Sequence, residues 1–243
     1  AVTVSGAIAA GSPLIDLNGA DNVTIDGLNA SGNSLIIENT TVSATTGTST
    51  IRLQTDATSN TITRCTVNGA SSMAIATNGG NIYFGAGAIS TGNDNNTVSN
   101  CNIGPSGANL PTKGVYGNGS TTTVATYNSG NTITGCNIYD YFGASVTSAG
   151  IYLAAGNTDY TITNNKFYQT ATRTQVTTGT VHAGIQISSA NVNNTTITGN
   201  TIGYSSNSGT GTYTFVGVSS SSRFVPIYLS TVGTTTACSV DGN

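Results

Sequence analysis

The side chains able to do chemistry are few and widely spaced. Nine carboxylates occur in 243 residues, at Asp16, Asp21, Asp26, Glu38, Asp56, Asp94, Asp140, Asp159 and Asp241. Acid–base cleavage of a sugar chain needs two carboxyls facing each other across the bond, and metal-assisted elimination needs clustered acids beside a base. Asp16 and Asp26 both face outward, but the equivalent positions one repeat further on are Arg52 and Thr63. Asp16 with Arg52 therefore reads as a surface ion pair of small energetic weight. His182 is the only histidine. A Ser-His-Asp relay would have to pass through it, yet no motif supports one, and a surface or packing role in a loop is the plainer expectation. Cys65, Cys101 and Cys136 share a spacing that lacks histidine or acidic partners, so no metal site is assigned. The sequence gives grounds for no catalytic residue and no cofactor.

These residues must be positioned by a repeat. Thr-Ile-Thr or a close relative recurs at 61–63, 97–99, 132–134, 161–163 and 196–198, with a last copy at Ser239-Val240-Asp241. Three residues after each central aliphatic stands Cys65, Cys101, Cys136, Asn165, Asn200 or Asn243, and two later comes an apolar residue such as Val67, Ile103 or Phe167. A second ladder, Ile15-Asp16-Leu17, Ile51-Arg52-Leu53, Ile82-Tyr83-Phe84, Val115-Tyr116, Ile151-Tyr152-Leu153, Ile185-Gln186-Ile187 and Ile227-Tyr228-Leu229, runs in phase with it. Runs this short, β-branched and alternating are strands, and a period of about 35 residues makes a solenoid of about six to seven coils. A solenoid has no separable core, so residues 1–243 form one domain.

In this reading the central Ile points inward and its Thr neighbours outward. Coils about 4.8 Å apart bring the three cysteines within disulfide range, but parallel side chains suit the bond poorly, which predicts buried free thiols. Cys238 falls in a different column. The inward Asn residues must satisfy their amides from the next coil. Gly114, Gly150, Gly184 and Pro226 are expected at a bend before the second ladder. In the first coil, Thr24-Ile25-Asp26 and Leu35-Ile36-Ile37 compete for one column.

Three outward features could bind a ligand. One is the hydroxyl array Thr61, Thr63, Thr97, Ser99, Thr132, Thr134, Thr161, Thr163, Thr196 and Thr198, whose regular spacing suits ice, although Thr also simply suits exposed strands. Another is the column Tyr83, Tyr116, Tyr152, Gln186, Tyr228, expected on the outer skin, either protecting the sheet or offering a platform to sugar rings or proteins. The last is a pair of long connections, 168–184 and 203–226, that gather Tyr168, Arg173, His182, Tyr204, Tyr213, Phe215, Arg223 and Phe224. Other insertions occupy 85–96 and 117–130, and loops on a rigid scaffold commonly carry binding.

Charged residues make up 6% and the net charge is −3, which offers no basic surface for nucleic acid or an anionic membrane. No apolar run is long enough to span a bilayer. No polar capping helix is legible at either terminus, so the expectation is a segment of a longer chain or a member of an end-to-end assembly.

The strings at 14–28 (LIDLNGADNVTIDGL), 131–140 (NTITGCNIYD) and 161–170 (TITNNKFYQT) resemble right-handed parallel β-helix repeats in very large secreted surface proteins of Bacteroidota. That resemblance implies an all-β, single-stranded right-handed parallel β-helix, the fold also used by pectate lyases and polygalacturonases. It further implies an extracellular or cell-surface protein exported through the type IX system. The resulting expectation is a non-catalytic structural or adhesive segment whose partners are glycans or other surface proteins, with a polysaccharide-active enzyme and an ice binder as alternatives.

Overall fold

A computed structural model describes residues 1–28, 32–86, 90–218 and 221–243. Parts of two expected insertions, 87–89 and 219–220, lie outside the described residues. The chain winds through three long sheets, each of seven strands and each entirely parallel. The first consists of the Thr-Ile-Thr copies, from Thr24–Asp26 through Thr61–Thr63 to Ser239–Asp241. The second holds the other ladder, from Pro13–Asn18 through Lys113–Gly117 and Val181–Ser188 to Arg223–Ser230. They are called here the Thr sheet and the Tyr sheet.

The remaining sheet corrects the two-ladder expectation. Cys65–Gly69, Asn102–Pro105, Asn137–Tyr139, Lys166–Tyr168 and Thr201–Tyr204 form a face of their own, joined by Val2–Gly6 and Leu35–Asn39. The physical reason is a bend immediately after each Thr strand. Arg64, Asn100, Gly135, Asn164, Gly199 and Gly242 all have φ between 53° and 67°, the left-handed region that Gly, Asn and Asp enter most easily. A matching set, Asn22, Ser59, Asn95, Gly130, Asp159 and Asn194, bends the chain just before the strand, with φ between 49° and 65°. At Gly135 a Cβ would lie 2.6 Å from Asn100 Oδ1, so the Asn of one coil packs over the Gly of the next.

The same register settles the first coil. Ile25 pairs with Ile62 in the Thr sheet, while Leu35 pairs with Cys65 and Ile37 with Val67 in the third. Ile62, Val98, Ile133, Ile162 and Ile197 are all buried and share one continuous apolar core with Cys65, Cys101 and Cys136, which are free thiols. Gly114, Gly150 and Gly184 sit inside strands, not at bends. A Cβ on Gly150 would lie 2.6 Å from the Phe167 ring and one on Gly184 2.8 Å from Ile202 Cγ2. These glycines let the Tyr sheet approach the third sheet across the core.

Buried amides tie the coils together. Asn165 donates to Ile133 O (2.9 Å) and Asn200 Oδ1 (3.0 Å), accepts from the Cys136 N–H (2.9 Å), and is followed by Asn200 and Asn243 bonded in the same way. Two further ladders were not anticipated: Asn60–Asn96–Asn131 and Asn93–Asn128–Asn157, each with side-chain amide contacts of 2.9 to 3.2 Å between coils. An Asn165→Ala substitution would leave the Cys136 N–H without its acceptor in the dry interior and should lower stability by about 1–3 kcal/mol. The outward Thr161→Ala change should stay within about 0.5 kcal/mol. Chemical denaturation of the two variants measures the difference.

Candidate functional site

Of the residues gathered by the long connections, Arg173, His182, Tyr213, Phe215 and Phe224 converge, but inward. His182 is a strand residue, not a loop residue, in register with Ser148 and Phe224 on the outward face of the Tyr sheet. The connections cross above it, and two short strands within them, Arg173–Thr174 and Phe215–Val216, pair in parallel. The rings of Tyr141, Phe142, Tyr213, Phe215 and Phe224 lie 5.1 to 6.0 Å from the imidazole, which is completely buried.

The hydrogen bonds around it define its tautomer. The Arg173 guanidinium can only donate, so its 2.7 Å contact from Nε fixes Gln169 Oε1 as acceptor. Gln169 Nε2 then donates to Tyr141 O (3.0 Å) and faces His182 Nε2 at 3.3 Å. His182 Nε2 is therefore the unprotonated nitrogen, and the single proton of the neutral ring sits on Nδ1, which donates to Ser148 Oγ at 2.8 Å. A serine nucleophile requires the opposite polarity, with the imidazole accepting the hydroxyl proton. Arg173 also pairs with Asp140, which caps the Thr170 N–H (2.8 Å) and closes the network. As arranged, these groups lock the covering layer onto the sheet.

The Tyr column likewise departs from expectation. Tyr83, Tyr116 and Tyr152 follow one another at centroid distances of 5.7 and 5.3 Å, but each is buried and not on the skin. The connection around residues 74–77 lies over them: Ile75 packs on the column, and the Tyr116 hydroxyl donates to Ala76 O at 3.3 Å. Lys113, which the sequence reading passed over, secures that cover. Its ammonium donates to Ala74 O (3.2 Å), Ile75 O (3.1 Å) and Thr77 O, and lies 4.2 Å from the centroid of the Tyr116 ring. Burial pushes Lys113 down to about 7, while three carbonyls and a ring face favour the charged form. Only Tyr228, beneath Arg223 at 5.9 Å, remains half-exposed.

Two faces remain open. Tyr168 lies on the third sheet, stacked on Tyr139 with centroids 5.2 Å apart and planes 6° apart, and continues in register to Tyr204, which is 39% exposed. Tyr139 leans over Gly104, where a Cβ would meet its ring at 2.4–2.8 Å. This half-exposed row was detectable as an aromatic immediately after the inward Ile138 and Phe167, but only once the third sheet is recognised. The Thr array is in register over five coils, as expected. Some of its hydroxyls are bonded to one another, Ser99 to Thr63 at 2.9 Å and Thr163 to Thr134 at 3.0 Å.

The carboxylates nearest the expected faces are occupied by arginine. Asp16 binds Arg52 (2.7 Å) and Asp26 binds Arg64 (2.5 Å). The Arg64 guanidinium holds the Asp26 carboxyl below the usual range. Among the described residues no group of three or more His, Cys, Asp or Glu is placed to hold a metal, and no helix is long and apolar enough to cross a membrane.

Residues 81–225, more than half of the chain, match the family described as the right-handed β-helix region, and the chain belongs to that family. No curated protein and no solved structure matches it.

Burial, with the Arg173 charge adding to it, pushes His182 down to about 3. An unfolded histidine titrates near 6.5, so between about pH 6.5 and 3 the unfolded chain binds the extra proton. The contribution of neutral His182 is complete above that window and falls as pH drops through it, by up to about 1.4 kcal/mol per pH unit. Denaturation at pH 7.5 and pH 5 should show this loss, and a His182→Gln variant should lose most of the difference.

Proposed function

We propose that this chain is a non-catalytic structural or adhesive segment of a large extracellular surface protein, a rigid stalk that meets glycans or other surface proteins through its open faces. The observation that carries the reading is how the reactive groups are used. Ser148 is fully buried and accepts a hydrogen bond from His182, Lys113 is enclosed by backbone carbonyls, and Asp16, Asp26 and Asp140 each hold an arginine. Family membership alone does not choose between enzyme and scaffold, because function resides in the site. The resemblance to secreted Bacteroidota repeats supports a cell-surface location and export by the type IX route.

Incubation with a panel of neutral and acidic polysaccharides should release neither reducing ends nor unsaturated products; release of either would support a glycosidase or lyase instead. A glycan array and a pull-down of surface proteins should give a ligand weakened by Tyr168→Ala or Tyr204→Ala. With no ligand in either, only the spacer role remains.

Ice binding is a second reading, favoured by the in-register Thr sheet. It requires thermal hysteresis that Thr134→Tyr abolishes.

A further inference from the structure

A groove of about 380 Å³ opens where the 117–130 insertion meets the turns of the later coils. We propose that it is a binding site for a short neutral saccharide, an inference that rests on the adhesive reading and names the class of ligand. The volume falls near the lower end of the range for small-molecule sites, about 300–1,000 Å³.

The groove is formed by groups held from several coils. The insertion supplies Val124, 73% exposed, from a short 3₁₀ turn, and Tyr127, nearly buried. The Tyr127 hydroxyl accepts from Asn191 Nδ2 at 2.7 Å, which joins the insertion to a turn 64 residues away. Asn193 accepts the Thr235 N–H (2.9 Å) and the Thr236 N–H (3.3 Å) on Oδ1. Among the described residues its Nδ2 has no acceptor, so a donor is left on the wall of the groove. Asp159 is oriented by Asn194 Nδ2 on Oδ1 (2.5 Å) and by Ser129 Oγ on Oδ2 (3.1 Å). Each of its oxygens retains a lone pair for a further donor.

This donor and acceptor set suits sugar hydroxyls. A vicinal diol can donate to both oxygens of Asp159 while one of its oxygens accepts from Asn193 Nδ2, and a C–H face can rest against Val124 and Ala190, which line the same space. Among the described residues no lysine or arginine lines the groove. With a carboxylate on its wall it disfavours uronates, sulfated sugars and phosphates, leaving a neutral ligand.

Two substitutions test the site without touching the core. Asp159 is at a left-handed bend with φ of 56°, a conformation Asn adopts readily, so Asp159→Asn removes the charge and keeps the turn. Val124→Trp fills the groove from an exposed position. Titration of the whole chain with neutral hexose oligosaccharides should give binding that each variant weakens about tenfold or more, the size expected for losing a hydrogen bond to a charged group. Unchanged unfolding curves would show that both variants fold. Galacturonate oligosaccharides should bind at least about tenfold more weakly than neutral ones. Binding lost with Tyr168→Ala but intact in both groove variants would overturn this site and leave the adhesive reading in place. Preference for the acidic sugars would also overturn it. Should no sugar bind at all, the groove inference fails, and the surface-protein pull-down then decides the adhesive reading separately.

Discussion

Each coil must bend sharply on both sides of its Thr strand, and both bends turn polar groups toward a dry interior. The interaction that makes this tolerable is the side-chain amide bonded to the next coil. In the ladder through Asn60, Asn96 and Asn131, one Oδ1 accepts both the backbone N–H and the side-chain amide of the preceding coil. An amide that is donor and acceptor at once satisfies the corner and sets the register together. Where the column after the Thr strand changes from Asn to Cys65, Cys101 and Cys136, the interior instead becomes apolar. Cys136 is the junction, its N–H donating to Asn165 Oδ1.

With the interior fixed in this way, variation is confined to the outside. The connections from the third sheet to the Tyr sheet have grown into a covering layer, and that layer has its own polar pins: Lys113 under the 74–77 segment, and Ser148, His182, Gln169, Arg173 and Asp140 under the later loops. Each would be costly to bury without these partners. Chemically versatile side chains have thus been turned into fasteners. The imidazole shows this most directly: its proton points toward the serine, a polarity imposed by an arginine two hydrogen bonds away.

The parts of this structure legible from the sequence were those governed by a strict period. The inward Ile62, Val98, Ile133, Ile162 and Ile197, the Thr register, the free cysteines and the Asn165–Asn200–Asn243 ladder depend only on neighbouring coils. The third sheet was missed because a single left-handed residue, such as Arg64 or Asn164, separates it from the Thr strand, and neither residue type marks a corner by itself. Asn60, Asn96 and Asn131 could have been found, since each immediately precedes its Thr strand. The burial of Tyr83, Tyr116 and His182 could not, because outward positions on a strand are covered or left open by loops whose path carries no periodic signal.

The corners also determine where a ligand can be met. From the second coil onward, the Thr strand and the third sheet are separated by only one or two residues, too few to form a loop that covers either face. That constraint keeps the Thr array and the Tyr139–Tyr168–Tyr204 row in contact with water. The other two corners accept insertions, and of these the corner between the third sheet and the Tyr sheet has used them to cover the Tyr sheet. The corner between the Tyr sheet and the Thr sheet has not closed in this way: its insertion stands beside Asp159 and Asn193 and leaves a gap. The scaffold thus presents flat, regular faces on two sheets and, at this corner, a concavity lined by polar groups from different coils.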